Sequence, residues 1–310
     1  MKSLAAGFRA LGHGKLILLL ALATAFIGFS AAVPLHKVLE KDVGGTLAGD
    51  HFLRNHPTFA PTDYFDFLKM NESVVDGVAG AAPYFLVVAV LLQMFFAGGM
   101  VVVLGRGSFS FGQFFEPARR NFWHNVKCFF LFAILAGIVL GLFFGGAYAV
   151  DKKIFADTPP GATSGVVFGW AVRLAAVILW GVLSLWYDFA RAVRRYSSTV
   201  GAWRAYGFAR RALRGSWTRG LVLYLFWLIL GAAAWLGAIL IAWTMPAVSP
   251  VAIALLLAVQ FATIYVRSAV RVAAWGSYVE FLDHRAPRAL TETYAAHPPR
   301  EVGLARVPVY

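Results

Sequence analysis

The chain has 310 residues, of which 60% are hydrophobic and only 14% charged, too little polar surface for a soluble globule of this size. Its net charge of +13 does not point to nucleic acid, because the arginines gather at the ends of apolar runs, where the positive-inside rule puts them. The one cysteine, Cys128, excludes an intramolecular disulfide and leaves the redox compartment unread.

The apolar residues fall into six runs, 16–33, 83–104, 128–150, 166–187, 221–243 and 251–270. Roughly 20 apolar residues in a helix cross about 30 Å of hydrocarbon, and a helix leaves few backbone groups unpaired in lipid. Each run therefore predicts a transmembrane helix. The first run follows a basic start carrying Lys2, Arg9 and Lys15. It has a rival reading as a secretory signal, with Ser30-Ala31-Ala32 as a cleavage site. The long lead with its Gly and Arg, and the continuation to Val33, favour an uncleaved anchor.

The connections alternate in charge. Arg106, Arg119, Arg120 and Lys127 lie between spans 2 and 3. Arg191, Arg194, Arg195, Arg204, Arg210, Arg211, Arg214 and Arg219 lie between spans 4 and 5, against the one acid Asp188. After span 6 come Arg271, Arg285, Arg288, Arg300 and Arg306. The segment 35–80 holds more acids than bases, the loop 151–165 is balanced, and Thr244 to Pro250 is uncharged. Both termini are thus expected in the cytoplasm. Arg and Ala prevail over Lys and Asn, a bias that points to a GC-rich bacterial genome and so to a bacterial inner membrane.

Two basic connections read as amphipathic interfacial helices. Ser110 to Asn121 sets Phe111, Phe114 and Phe115 beside Glu116, Arg119 and Arg120. Ala202 to Ser216 sets Trp203, Tyr206, Phe208 and Leu213 among Arg204, Arg210, Arg211 and Arg214. Contact with anionic phospholipid headgroups at the cytoplasmic face is the expectation for both, with an ordinary solvated basic loop as the alternative. Gly7-Phe8-Arg9-Ala10-Leu11, Ala118-Arg119-Arg120 and Gly207 to Leu213 resemble one another, and all precede inside-to-outside spans. They read either as three parallel hairpin repeats or as convergence on basic entry segments. Residues 35–80 mix acids with aromatics, which suggests short helices on the outer face. Residues 284–310, with four prolines, predict a mobile cytoplasmic tail after a transmembrane domain of residues 1–283.

Small residues predict close helix packing: Gly137, Gly141 and Gly145 lie four apart on span 3, as do Thr24, Gly28 and Ala32 on span 1. Arg173 sits about 12 Å into span 4 with no acid inside any span to pair with it. Its two readings are contact with an anionic substrate or headgroup and a reach to a loop carboxylate or lipid phosphate. Near the inner boundary, Asp188 and Arg191 are three apart, while Gln260, Arg267 and Arg271 share one stripe of span 6. A bridge from Asp188 to Arg267 or Arg271 would clamp spans 4 and 6, and a polar pocket open to the cytoplasm is the alternative. Gln93 reads as an interhelical hydrogen bonder. His51 and His56, near Asp50, match no standard metal spacing, so no metal or cofactor is expected.

No G-x-S-x-G, P-loop or H-E-x-x-H motif occurs. Phe96-Ala97-Gly98-Gly99-Met100, the segment Arg106 to Phe115, and Asp188-Phe189-Ala190-Arg191 resemble a broad group of bacterial six-span membrane proteins without an established activity. That group is distantly similar to the membrane domain fused to some glycerophosphodiester phosphodiesterases, but the hydrolase part is missing here and no catalytic residue carries over. The expectation is an all-α, six-helix membrane bundle that is non-enzymatic: a scaffold, an accessory subunit of a membrane protein partner, or a lipid-organising factor. The alternative is a carrier of lipid or anionic substrate that uses Arg173 and a cavity between spans 4 and 6.

Overall fold

Apolar runs of this length hydrogen-bond internally as helices, and a computed structural model bears this out over residues 2–42, 72–106, 109–154, 163–197, 199–244 and 250–296, which it describes. The helices are α1 (Lys2–Ala10), α2 (Gly14–Asp42), α3 (Glu72–Arg106), α4 (Phe111–Ile154), α5 (Thr163–Ala192), α6 (Ala202–Leu213), α7 (Trp217–Thr244), α8 (Pro250–Asp283) and α9 (Ala286–Ala296). A 3-10 turn, Val193–Arg195, follows α5.

Five stretches are long and apolar enough to cross a membrane: Pro83–Gly105, Phe111–Ile154, Ser164–Arg195, Trp217–Ile241 and Ala254–Asp283. Lys2–Ala10 and Gly14–Ser30 make a sixth if counted together, but they are bent by 70°. The expected first span is therefore one limb of a bent pair. The Phe8 and Arg9 carbonyls accept from Leu11 and Gly12 at 3.1 and 3.0 Å to close α1, and the His13 carbonyl accepts from Leu16 at 2.9 Å to open α2. Large apolar side chains on the spans stay exposed, among them Phe26 at 73% and Leu142 at 74%. Such surface is unfavourable in water and costs nothing against lipid tails. The chain is a multi-pass helical membrane protein.

Some helices outrun the hydrocarbon. With 44 residues, α4 runs about 66 Å at 1.5 Å per residue, over twice the bilayer core. Of residues 110–121, all but Ser110 form the first turns of α4, continuous with its apolar part, with Pro117 inside it. The segment 35–80 begins and ends as continuations of α2 and α3, and its centre, with Asp50, His51 and His56, lies outside the described residues. Within the segment 284–310, Ala286–Ala296 forms α9, whose Ala286 and Ala289 are buried; residues 297–310 lie outside the described residues.

The chain divides into two compact units, Met1–Arg119 with Phe226–Ser277, and Arg120–Leu225 with Tyr278–Tyr310. The boundaries fall inside α4, α7 and α8. In the first unit, Leu16, Ile17 and Leu20 of α2, Met94, Ala97, Met100 and Val103 of α3, and Val272 and Ala273 of α8 are buried. Here α1 meets α8 backbone to backbone. A Cβ added to Gly7 would lie 2.6 Å from the Trp227 ring and 2.7 Å from the Ala273 carbonyl, and one on Gly276 would lie 2.6 Å from the Ala10 Cβ. Trp227 Nε1 donates to Ser277 Oγ at 3.0 Å and closes this contact. Gly99 similarly admits Phe114, 2.7 Å from an added Cβ, which joins the end of α3 to the start of α4.

The second unit buries Phe189, Ala190 and Ala192 of α5, Phe208, Ala209 and Leu213 of α6, and Phe281 and Leu282 of α8. Among the described residues, an added Cβ at Gly137, Gly141 or Gly145 meets nothing within 4 Å, and Gly28 of α2 is equally open. The glycines that seat close neighbours are Gly7, Gly99 and Gly276.

Candidate functional site

Helix α6 splits its residues cleanly between two faces. Ala205, Tyr206, Phe208, Ala209, Ala212 and Leu213 are all buried, at the i, i+3, i+4, i+7 repeat of one apolar stripe. This stripe packs on α5 and α9, so the protein itself covers it, in place of the lipid expected from the sequence. Two hydrogen bonds fix the helix. Trp186 Nε1 donates to the Tyr206 carbonyl at 2.9 Å, and the Tyr206 hydroxyl donates to the Cys128 carbonyl at 2.7 Å. The Trp186 and Tyr206 rings meet edge to face at 5.4 Å. Burial pushes the Tyr206 phenol above its ordinary range, with neighbouring Cys128 and Tyr187 acting the same way; it stays a neutral donor.

The opposite face carries Trp203, Arg204, Gly207, Arg210, Arg211 and Arg214, and it is concave. A cavity of about 530 Å³ is lined by Gly207, Arg210, Arg211, Arg214, Gly215 and Trp217. A second, of about 210 Å³, shares Gly207, Arg210 and Arg211 with the first. Its other walls are Arg204 and Trp203, the Trp186–Tyr206 pair, and Leu131 and Leu135 of α4. Among the described residues, no acid lines either cavity. Gly207 forms a notch in the arginine row, and an added Cβ there would sit 3.0 Å from an Arg211 guanidinium nitrogen. At the end of α6 the chain turns through Gly215, with φ of 72°, a left-handed conformation that costs other residues about 1 kcal/mol. Such a site can bind an anion through guanidinium groups and an apolar chain through its aromatic and leucine walls.

The same unit holds a set of buried and half-buried polar groups. Arg191 is salt-bridged to Asp188 on its own helix, with side chains 7% and 17% exposed, and its guanidinium lies 4.1 Å over the Tyr187 ring. Arg195 pairs with Asp283 at 3.1 Å, and the Tyr196 hydroxyl donates to the same carboxylate at 2.8 Å. On α4, Asn121, His124, Asn125 and Cys128 are buried, with His124 Nε2 3.4 Å from Cys128 Sγ. The i, i+3, i+4, i+7 spacing of these four residues is legible in the sequence as a polar stripe.

The remaining expected site residues are dispersed. Arg173 is exposed, with its guanidinium 5.0 Å over the Trp170 ring, and it lines neither cavity. Gln260 and Arg267 are exposed. Arg271 donates to Gln93 Oε1 at 3.4 Å, so Gln93 is an interhelical hydrogen-bond partner as expected. Asp188 belongs to the second unit and Arg267 and Arg271 to the first; within its own unit Asp188 pairs with Arg191. Compared with protein-family models, curated proteins and solved structures, the chain matches none.

Proposed function

We propose that this chain is a non-enzymatic protein of a bacterial cytoplasmic membrane, an accessory or lipid-organising factor whose basic face engages anionic phospholipid headgroups. The observation that carries this reading is the division of labour on α6. Its apolar side is consumed by packing on α5 and α9, which leaves the arginine row as its outward surface. On an ordinary interfacial helix the apolar side enters the lipid and the charges face water. Here the arginines themselves are the available contact, and an anionic leaflet attracts each such charge by about 1 kcal/mol near its surface.

The absence of catalytic motifs from the sequence supports a non-enzymatic role. The carrier reading needs a polar cavity reaching Arg173; that residue stacks on Trp170 and lines neither of the two cavities. Lipid analysis of the full-length protein, purified from membranes in mild detergent, tests the proposal. Anionic phospholipids should be enriched over the bulk membrane, and the enrichment should fall as salt is raised, because exposed charges are screened within about 8 Å at physiological ionic strength. Co-purified lipid with bulk composition at low salt would sink it.

A further inference from the structure

We propose that the concave face of α6 is a discrete site for one anionic diacyl phospholipid, with the phosphate held by Arg210, Arg211 and Arg214 and an acyl chain entering the cleft beside Leu131 and Leu135. The inference rests on the lipid reading above and goes beyond it, from general attraction to a single site with a defined pose.

Three observations carry it. The larger cavity, about 530 Å³, falls within the range of roughly 300–1,000 Å³ that small-molecule sites occupy. Among the described residues that line it, three are arginines and none is an acid. Guanidinium groups match phosphate oxygens through paired N–H donors, so this chamber selects a phosphate-bearing group.

The second cavity adds an apolar wall that an inorganic anion would leave uncovered. Leu131 and Leu135 lie one turn apart in the apolar part of α4, with Trp186, Trp203 and Tyr206 beside them, while Arg204, Arg210 and Arg211 line the rest. The polar tips of Trp186 and Tyr206 are already engaged with backbone carbonyls, so these residues offer the cleft ring surface and no hydrogen bond. This is the lining that methylene groups favour.

The two cavities share Gly207, Arg210 and Arg211. One molecule can therefore occupy both only if it is polar and phosphorylated at one end and apolar at the other. A phospholipid has that build, whereas a soluble phosphate ester fills the first cavity alone. Gly207 is the joint between them. A larger side chain there closes the passage without removing any charge.

Native mass spectrometry of the full-length protein in detergent tests the site with three probes: phosphatidylglycerol, zwitterionic phosphatidylethanolamine and water-soluble glycerol 3-phosphate. Phosphatidylglycerol should bind one to one, about tenfold more tightly than phosphatidylethanolamine, and glycerol 3-phosphate should not register. Arg210→Ala and Arg214→Ala, both at exposed positions that folding tolerates, should each weaken phosphatidylglycerol by about five- to tenfold. Gly207→Leu should weaken it comparably with every charge retained, and Gly207→Ser, a smaller intrusion, by less. The control Lys2→Ala/Lys15→Ala removes two exposed charges that line neither cavity and should leave binding within about twofold.

If the control weakens binding as much as Arg210→Ala, and Gly207→Leu behaves as wild type, the discrete site is overturned while the lipid-organising reading stands. Glycerol 3-phosphate binding as tightly as phosphatidylglycerol overturns the acyl cleft. Equal binding of phosphatidylglycerol and phosphatidylethanolamine by the wild type overturns both readings.

Discussion

Glycines of identical chemistry do opposite jobs in this chain, and the neighbours of each decide which. An added Cβ on Gly276 would meet the Ala10 Cβ at 2.6 Å, whereas one on Gly141 meets nothing within 4 Å. Gly276→Ala must therefore push α1 off α8, and overpacking of this kind costs about 1–3 kcal/mol. Gly141→Ala should cost nothing and gain up to about 1 kcal/mol of helix propensity. Thermal unfolding in detergent compares them directly, and a Gly141→Ala variant that melts below Gly276→Ala would contradict this assignment. Asp188 is a second residue whose role depends on its surroundings. It pairs with an Arg191 that is only 7% exposed, and losing the carboxylate removes the counter-charge of a buried guanidinium. Breaking such a pair costs about 3–5 kcal/mol; Asp188 is partly exposed, and a loss near the lower end, about 3 kcal/mol, is expected for Asp188→Ala. A double-mutant cycle with Arg191→Ala should show coupling above about 1 kcal/mol. Additivity within about 0.5 kcal/mol would mean that the pair contributes geometry without energy.

At the scale of elements, α6 is held from both ends. Tyr196, just before it, donates to Asp283 at the end of α8, and its ring lies 6.1 Å from that of Phe208. Burial raises the Tyr196 phenol well above its ordinary range, and the Asp283 carboxylate adds to the shift. A folded value above the unfolded one means that the protonated phenol's contribution is complete below the unfolded value of about 10 and is lost as pH rises toward the folded value. The melting midpoint should therefore fall above about pH 10, and Tyr196→Phe should flatten that fall while lowering stability at neutral pH. An unchanged alkaline profile in Tyr196→Phe would show that the titration lies elsewhere. Gly215 holds the other end with its φ of 72°. Gly215→Ala should lose about 1 kcal/mol, since the left-handed region penalises a Cβ.

For the molecule as a whole, the alternation of basic and acid-rich connections assigns both termini to the cytoplasm, as a proposal that a reporter can test. A reporter active only in the cytoplasm, fused after Tyr310, should be active, and one inserted at residues 155–162 should be silent. Activity at the internal site in a stable, full-length product would reverse the assignment. Intact mass separates the two readings of span 1, because signal cleavage near Ala32 removes the bent pair of α1 and α2 altogether.

The sequence by itself determined the class of the protein and the place of its helices. Lipid enforces both: a long apolar run has no other way to satisfy its backbone, so run length alone located five spans, and a sixth as one limb of a bent pair. The two faces of α6 were equally legible, since a 3.6-residue period sorts apolar from basic residues whatever covers them. The cover itself was not. In lipid every apolar side is tolerated, so hydropathy does not say whether a stripe meets tails or protein, and only the tertiary structure turned the apolar side of α6 inward onto α5 and α9. Partner choice had the same limit. Glycines four apart mark where an approach is sterically open, but among the described residues none approaches Gly137, Gly141 or Gly145, while Gly7 and Gly276 closed on each other's helices. Asp188 illustrates it for charge: the sequence offered it three arginines, and the fold seated one of them, Arg191, beside it. Spacing along one chain fixes directions from an axis, whereas contact requires knowing which axes lie side by side.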